Sequence, residues 1–262
     1  MSAMKIRMLV SYDGTEYCGW QKQKHGPLKS VAHVIEDAIA KIFNRKIPLF
    51  GSGRTDAGVH AMGQNCHFEV DRDEKNFNMD VAWSLKSQLP ESITIRKVWI
   101  APQDFHATLS ATHKTYKYLI YNNNRRNPFI CRFAAWIRKP LDIDHLNQST
   151  QAIIGEHDFK SFQSVGTQVH HTTRRVMSAK WERKNDKVIQ FTITGSGFLK
   201  QMVRNIVGTM LMLEQKGLPP EEMKKILAAL DRKIAGPPAP PEGLFLWKVY
   251  YPRELDNKCR EL

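Results

Sequence analysis

Stretches with the two-residue period of a β-strand alternate with stretches of helical period along this chain, and this alternation constrains its fold more than any other feature. The first strand is predicted from Lys5 to Tyr12, where apolar and polar side chains alternate except at Leu9. A helix follows, with Ser30 as its predicted N-cap and apolar residues at i, i+3, i+4 and i+7. Residues 174–181 and 188–194 predict a hairpin. Strands separated by helices, with a hairpin, predict an α/β (α+β) fold with a mixed or antiparallel sheet.

The remaining elements are predicted by the same rules. Strands are expected at 66–70, 93–99, 115–121 and 244–251, and helices at about 80–88, from Asp142 or Asp144 to Gly155, at 202–217 and after Pro220. The strand at 66–70 should be half-buried, with Asn65, His67 and Glu69 on its polar face. The polar tail from Arg253 to Leu262 should fray.

A composition change at Pro102 and Asp104 suggests a domain boundary. The predicted domains are an N-terminal α/β subdomain, 1–102, and a C-terminal α/β subdomain, 103–262. Residues 236–243 are rich in proline and should form a stiff, extended loop before the last strand.

A glycine-rich stretch at 51–61 holds the strongest candidate for chemistry. Three glycines in eight residues surround Arg54 and Asp56, and glycine permits close approach of backbone and ligand. A carboxylate in such a loop can serve as a nucleophile, a general base or a metal ligand. The spacing matches neither a P-loop nor G-x-G-x-x-G. Taken alone, the stretch is better explained as a glycine-rich turn carrying a surface ion pair, because short motifs match by chance.

The charge of the chain favours a polyanionic partner. The 262 residues carry 39 Lys and Arg against 26 Asp and Glu, for a formal charge of +13. A surface this basic typically meets nucleic acid, although an indifferent basic surface is the alternative. Four scattered cysteines predict reduced thiols rather than a zinc site or disulfides. With neither a membrane-length apolar run nor a signal-peptide pattern, a cytoplasmic protein is expected.

Aromatic and cationic residues occur together in two places. Tyr17 and Trp20 precede Lys22 and Lys24, and the strand at 115–121 carries Tyr116 among lysines. Such mixtures suit base stacking and phosphate contact. The alternatives are a tryptophan that fills the core and the ordinary preference of aromatic residues for strands.

Two further positions are weighed individually. Arg204 lies in the first turn of a helix, off its apolar stripe, where a cation opposes the helix dipole. An anionic partner elsewhere is therefore expected, the alternative being a solvated arginine. His157 is a weaker catalytic candidate, because a single histidine is more often structural. The adjacent His170 and His171 do not predict a metal site, since their rings diverge.

Several motifs occur in one order along the chain. They are Tyr12-Asp13-Gly14-Thr15, Gly19-Trp20-Gln21, Gly53-Arg54-Thr55-Asp56-Ala57-Gly58-Val59-His60, Phe105-His106-Ala107, Tyr116-Lys117-Tyr118, Gly155-Glu156-His157-Asp158-Phe159, Met202-Val203-Arg204-Asn205 and Ala239-Pro240-Pro241-Glu242-Gly243-Leu244. With these motifs the chain resembles the tRNA pseudouridine synthase A family over nearly its whole length.

The resemblance implies a pseudouridine synthase fold, with two ferredoxin-like α/β subdomains sharing a mixed, mostly antiparallel sheet and a central basic cleft. It also implies a homodimer without cofactor or metal that isomerises uridines 38, 39 and 40 in the tRNA anticodon stem-loop. By the same resemblance Asp56 is the catalytic carboxylate and Arg54 assists base flipping. Tyr116 stacks on the target base, Arg204 pairs with Asp56, and Leu244 closes the pocket.

Two departures from the family pattern are Ala32, where glutamine is usual, and Thr108, where arginine is common. Isomerisation of uridine gains and loses no atoms, so no cofactor is needed. The carboxylate either attacks C1′ or removes the 2′ proton, and both routes stay open. A non-catalytic RNA-binding protein and a hydrolase using Asp56 with His60 are the alternative functions.

Overall fold

The structure is a computed structural model, and it describes residues 3–21, 28–71, 81–166 and 169–262. The chain forms two compact units, one made of Met1–Thr112 with Leu246–Leu262 and the other of His113–Phe245. Lys22 and Lys24, expected near the first aromatic loop, lie outside the described residues, as does the start of the helix predicted at 80–88.

Residues up to 112 form β1 (Ala3–Tyr12), α1 (Val31–Phe43), β2 (Phe50–Gly51), β3 (His60–Asp71), α2 (Val81–Gln88) and β4 (Ile93–Ala101). Residues 113–243 form β5 (His113–Asn122), β6 (Ala135–Ile137), α3 (Ile143–Gln151), β7 (Gly155–Asp158), β8 (Thr173–Asn185), β9 (Val188–Gly195), α4 (Met202–Gln215) and α5 (Glu222–Ala228). The last residues form β10 (Leu244–Tyr250), α6 (Arg253–Asn257) and β11 (Arg260–Glu261).

In the first unit, β1 is the central strand of a sheet with the order β11-β4-β1-β3-β10, and β2 pairs with β3. β1 is antiparallel to both neighbours, so that Ile6 lies between Phe68 and Ile100. Ser30 caps α1 as predicted, because its side chain accepts a hydrogen bond from the His33 amide at 3.2 Å. The buried face of α1 supplies Ile35 and Ile39 to the core.

In the second unit the strands have the order β5-β9-β8-β7, and all three neighbouring pairs are antiparallel. The predicted hairpin is confirmed as β8 and β9. β6 runs parallel to the end of β5, which makes the sheet mixed. The predicted class, α+β with a mostly antiparallel sheet, is therefore confirmed.

The polar face predicted for β3 is wrong at Asn65 and His67, whereas Glu69 is exposed as predicted. Asn65 and His67 are buried, because Arg7, which is bonded to the C-terminal tail, and residues 103–107 lie against that face of the sheet. Asn65 can be buried because its side-chain oxygen accepts a hydrogen bond from Arg7 Nε at 2.9 Å. His67 can be buried because its Nδ1 accepts a hydrogen bond from the Ala107 amide at 3.2 Å.

The tail does not fray as predicted. Asp256 of α6 accepts a hydrogen bond from Arg7 Nη1 at 2.6 Å, and the guanidinium lies 4.5 Å from the ring centre of Tyr251. β11 then pairs with β4, and the Leu262 amide donates to the Val98 carbonyl at 3.0 Å. The sequence pattern missed this because the attachment depends on a buried cation more than two hundred residues away.

One helix boundary differs from prediction. α3 begins after its Asp142 cap but ends at Gln151, and Gly155 belongs to β7 with a φ of 112°. Residues 246–262 complete the sheet of the first compact unit, and the domain division at residue 102 stays a prediction. Among the described helices, none has the length and apolar character needed to cross a membrane.

Candidate active site

The glycine-rich stretch forms a loop that leaves β2 and enters β3, and it carries an exposed Arg54 and a half-buried Asp56. Its first half is fixed to β3. The Ser52 amide donates to the Asn65 carbonyl at 2.7 Å, and Gln64 Nε2 donates to the Gly53 carbonyl at 2.7 Å. Within the loop, the Val59 amide donates to the Asp56 carbonyl at 3.1 Å. These bonds define the backbone that presents the Asp56 side chain.

A second loop, which follows β1, supports the loop of Asp56 from the other side. The Tyr12 and Thr55 hydroxyls are 2.7 Å apart in a buried site, and the Trp20 amide donates to the Thr55 carbonyl at 3.1 Å. A Cβ atom at Gly14 would overlap the Val59 carbonyl, and one at Gly19 would overlap the Thr55 carbonyl. The glycines of this loop are therefore needed for close approach of the two backbones.

His60, at the end of the glycine-rich loop, is buried and serves the same support. Its Nδ1 lies 3.0 Å from the Gly14 amide nitrogen and 3.1 Å from Asp13 Oδ1. An unprotonated Nδ1 accepts from Gly14, and a protonated one donates to Asp13. Either tautomer ties His60 to the turn after β1, which gives this ring a structural role and disfavours the hydrolase in which it assists Asp56.

The two departures from the family pattern lie close to these loops. Thr108 Oγ1 donates to the Gly51 carbonyl at 2.6 Å, so this side chain helps to hold the start of the glycine-rich loop. Ala32 is buried in the first turn of α1, and its amide donates to the Trp20 carbonyl at 3.1 Å. Thr108 thus supports the glycine-rich loop through its side chain, whereas Ala32 contributes only a backbone bond to the loop after β1.

The described residues of the second unit include the other predicted site residues. Tyr116 is buried on β5, opposite Ile193 of β9. Its ring is edge-on to that of Phe198, with 5.1 Å between the ring centres and 80° between the planes. Phe198 follows β9 and precedes α4, so the connection between these two elements supplies the ring that packs against Tyr116.

Arg204 lies in the first turn of α4, as predicted, and is attached to the proline-rich loop. Its Nε donates to the Ala239 carbonyl at 2.8 Å, and its own carbonyl accepts from the Ala239 amide at 2.9 Å. This pair of bonds holds the helix start and the loop together. One donor of the guanidinium is thus directed to a neutral carbonyl, and the anionic partner expected from the sequence stays a prediction.

Leu244 is buried at the start of β10, directly after a short 3-10 helix at Pro241–Gly243. The preceding Pro240 carbonyl accepts from the Tyr118 hydroxyl at 2.8 Å. Burial raises the pKa of Tyr118 well above its usual value, and the nearby charge of Glu242 raises it further while Arg204 opposes the shift. Tyr118 therefore stays a neutral donor that fixes the loop before Leu244.

Within the second unit, Tyr116, Arg204 and Leu244 thus lie on elements joined by direct hydrogen bonds through Tyr118 and the proline-rich loop. Within the first unit, Arg54 and Asp56 share one loop. The sequence did not identify the supporting residues Tyr12, Thr55, His60, Tyr118 and Phe198 as a set. The feature of the sequence that could have identified them is that each lies within or near one of the motifs given in the sequence analysis.

The described ranges contain no group of three or more His, Cys, Asp or Glu side chains that could hold a metal ion. His67 has its pKa lowered to about 4, chiefly by burial and then by the charges of His106 and Lys5. This histidine is therefore neutral at physiological pH and accepts a hydrogen bond from the Ala107 amide.

The comparisons with known proteins agree with one another. A family model described as tRNA pseudouridine synthase matches residues 8–108 and 150–252. The chain is 60% identical over 259 residues to the tRNA pseudouridine synthase A of Bdellovibrio bacteriovorus, a match that covers 98% of this chain and 99% of that protein. It is 42% identical to the protein of the same name from Brevibacillus brevis, and that match covers 94% of this chain and 99% of the relative. It is 38% identical to the protein of the same name from Shigella boydii, and that match covers 96% of this chain and 92% of the relative.

Among solved structures, the chain is similar at 12% identity to a chain of a Cbf5-Nop10-Gar1 complex, with a TM-score of 0.40, covering 79% of this chain and 44% of that one. That likeness is too low to bear on the fold. The family model and the full-length relatives are sufficient by themselves, and the chain belongs to the tRNA pseudouridine synthase family of isomerases.

Proposed function

We propose that this protein isomerises uridine to pseudouridine at positions 38, 39 and 40 of the tRNA anticodon stem-loop, with Asp56 as the catalytic carboxylate. The observation that carries the proposal is the mounting of Asp56. Its loop is fixed to β3 by Ser52 and Gln64 and to the turn after β1 by Tyr12 and His60. Preorganisation of this kind is what a reacting group requires, because small displacements of such a group greatly reduce the rate.

The reaction exchanges one glycosidic bond for another. The bond from N1 of uracil to C1′ breaks, the base turns, and a bond from C5 to C1′ forms. The proton on C5 is released to a base, and N1 ends with a proton. Asp56 acts at the sugar, either by attack on C1′ or by removal of the 2′ proton. No atom is gained or lost overall, so this chain supplies only acid–base, nucleophilic and positioning groups.

The other predicted site residues enter the proposal in stated roles. Tyr116 stacks on the target uracil, and its ring orientation is supported by Phe198. Arg54, exposed beside Asp56, assists removal of the base from its stack. Arg204 holds the carboxylate of Asp56 ionised. Leu244, buried at the start of β10, closes the pocket around the base.

We further propose that the protein acts as a homodimer in the cytoplasm. The support is the family resemblance for the dimer and four cysteines without disulfide spacing for a reducing compartment. The formal charge of +13 supports a polyanionic substrate.

Tritium release tests the proposal directly. Transfer RNA labelled with tritium at C5 of its uridines should release the label, because the C5 proton leaves during isomerisation. When uridine 38, 39 or 40 of the tRNA is replaced singly, the amount of tritium released should fall by the share that comes from that position. A non-catalytic RNA-binding protein would bind these RNAs without release, and a hydrolase would release uracil instead, so either result would refute the assignment.

A further inference from the structure

We propose that residues 123–139, which we call the 123–139 segment, form a second RNA-binding surface that contacts unpaired nucleotides of the tRNA other than the nucleotide being isomerised. The segment follows β5 and includes β6. This inference rests on the proposed function for the identity of its RNA. It concerns a surface that the isomerisation chemistry itself does not need.

Three aromatic side chains of the segment face solvent. Phe129 is 90% exposed, Phe133 is 39% exposed and Trp136 is 40% exposed. Single exposed apolar side chains are ordinary, but three exposed large rings within eight residues indicate a binding surface. Aromatic faces accept any nucleobase by stacking, which suits them to single-stranded RNA.

Cations flank these rings in the sequence. The chain between Asn122 and Leu141 contains no Asp or Glu, and its exposed cations are Arg125, Arg126, Arg132, Arg138 and Lys139. The Arg132 guanidinium lies 5.9 Å from the ring centre of Phe133, so ring and cation are presented together. Phosphates next to a stacked base would meet these cations, which is the pattern of sequence-tolerant RNA binding.

The segment is built as a rigid support for these side chains. The Asn127 side chain accepts from the Phe129 amide at 3.0 Å, and the Asn127 carbonyl accepts from the Cys131 amide at 2.9 Å. Buried Cys131 and Ala134 pack in one cluster with Tyr121 of β5. A surface ordered before binding loses little conformational entropy on binding, which favours affinity.

Trp136 is fixed in the same way. Its Nε1 donates to the Asn123 carbonyl at 2.8 Å, and its backbone is opposite Tyr121 in the parallel β5–β6 pair. The indole nitrogen is thereby satisfied inside the segment while the ring stays at the surface. The ring face, rather than the polar N–H group, is therefore what Trp136 offers to a partner.

The position of the segment on β5 separates it from the base-stacking tyrosine. Tyr116 and Asn122 are six residues apart on one strand, which is about 20 Å at about 3.3 Å per residue. The segment begins directly after Asn122. Trp136 lies opposite Tyr121, five residues along β5 from Tyr116, so a base stacked on Trp136 and a base stacked on Tyr116 belong to different nucleotides.

A second copy of this chain is the main competing partner, because aromatic residues and arginine are also enriched at protein interfaces. In a two-fold symmetric interface centred on the 123–139 segment, however, the segment meets its own copy. Its arginines and lysine would then face the same cations with no carboxylate from the segment to offset them. RNA supplies the complementary charge, so the electrostatics favour RNA over self-association.

The test compares variants of the full-length protein for binding to full-length tRNA. Phe129→Ala should weaken binding by about 5- to 100-fold, the range expected for loss of one base–aromatic stack, and Phe129→Trp should restore it. The kcat for tritium release at saturating tRNA should stay within twofold of the wild-type value. Ile234→Ala, at another exposed apolar residue of the second unit, is the matched control and should not change binding.

Removal of charge gives a second measurement. Arg125→Ala with Arg126→Ala should reduce the slope of log K against log salt by about 1.4, at about 0.7 per cation for single strands. The charge-matched control is Lys224→Ala with Lys233→Ala, two exposed cations of the second unit outside the segment. That control should leave tRNA affinity within twofold of wild type.

A photo-crosslinking residue at position 129 identifies the partner. An adduct with an unpaired tRNA nucleotide outside positions 38–40 supports the proposal. An adduct with a second copy or with a paired nucleotide overturns it, as does a Phe129→Ala variant with unchanged tRNA affinity or an altered oligomeric state. Tritium release by the wild-type enzyme tests the proposed function separately, so an active enzyme whose variants bind tRNA normally would refute this surface alone.

Discussion

The hydroxyl oxygens of Tyr12 and Thr55 lie 2.7 Å apart, and this buried contact joins the end of β1 to the residue immediately before Asp56. Neither side chain is proposed to touch the substrate. Their contact instead restrains the backbone on which the carboxylate is mounted. The position of a catalytic group in this protein therefore depends on a hydrogen bond between side chains 43 residues apart.

Tyr12→Phe should lower kcat by about 10- to 100-fold with little change in KM, because a displaced carboxylate slows the reaction without weakening RNA contacts. The free energy of unfolding should fall by only about 0.5–1.5 kcal/mol. Tyr17→Phe is the matched control, since the Tyr17 hydroxyl contacts Ser92 at 2.6 Å and leaves the loop of Asp56 untouched. Equal kcat values for the two variants would show that the Tyr12 contact has no positioning role.

Asp56→Asn should reduce turnover by at least about 10⁴-fold while tRNA affinity stays close to wild type. The amide retains the size of the side chain but is neither a nucleophile nor a base. Asp37→Asn, at a half-exposed carboxylate of α1, controls for the loss of one negative charge from the first unit. Tritium release and a filter-binding assay measure the two quantities, and turnover above a trace would remove Asp56 from the mechanism.

Tyr116→Phe distinguishes two roles of the tyrosine. If the ring only stacks on uracil, Phe should stay active, while Ala should weaken binding by about 1–3 kcal/mol. If the hydroxyl also accepts the C5 proton, Phe should bind tRNA and break the N1 bond, and an intermediate should accumulate before tritium release. Wild-type turnover by the alanine variant would show that Tyr116 is only a strand residue.

Asp256→Ala should destabilise the protein by about 1–3 kcal/mol, because it leaves the buried guanidinium of Arg7 without its carboxylate. Half-exposure of Asp256 keeps the expected value below that of a fully buried pair. Glu261→Gln is the control in the same tail, since its pair with Lys97 is exposed and should contribute less than about 0.5 kcal/mol. Urea unfolding gives both free energies, and equal effects would mean that α6 is not held by this contact.

His67 should remain neutral down to about pH 4, where its lowered pKa lies. Its folded-state pKa is below the ordinary value of about 6.5, so protonation favours the unfolded state. The contribution of neutral His67 to the stability of the folded protein is fully present above pH 6.5 and declines as the pH falls toward 4. NMR titration of the imidazole should give the midpoint directly. A His67 midpoint near 6.5 would contradict the effect of burial.

The sequence predicted those features that depend on neighbours along the chain. The cap of α1 at Ser30, the alternation of β1 and the β8–β9 hairpin each follow from short-range periodicity, and all are present. Asn65 was placed on an exposed face because alternation cannot report that a remote arginine covers it. Burial of a polar residue depends on its tertiary partner, which pattern analysis does not identify.

The same distinction applies to the candidate site. Asp56 stands out because it is the carboxylate of a glycine-rich loop. Tyr12 and His60 do not, because their partners, Thr55 and the turn at Asp13-Gly14, become neighbours only when the first unit folds. Gly14 was visible as a turn residue, yet the need for its missing Cβ appears only where it meets the Val59 carbonyl.

The first unit is completed by residues from both ends of the chain, and this sets an order of assembly during synthesis. The second unit is continuous in sequence and is fully made before Leu246 is reached. The sheet that carries the loop of Asp56 must wait for β10, on the order of ten seconds after Thr112 at typical rates of translation. When Phe245 has been added, the nascent chain thus holds every residue of the second unit, while the sheet that supports its carboxylate loop still lacks β10. A fragment that ends at Phe245 should therefore bind tRNA but fail to isomerise it.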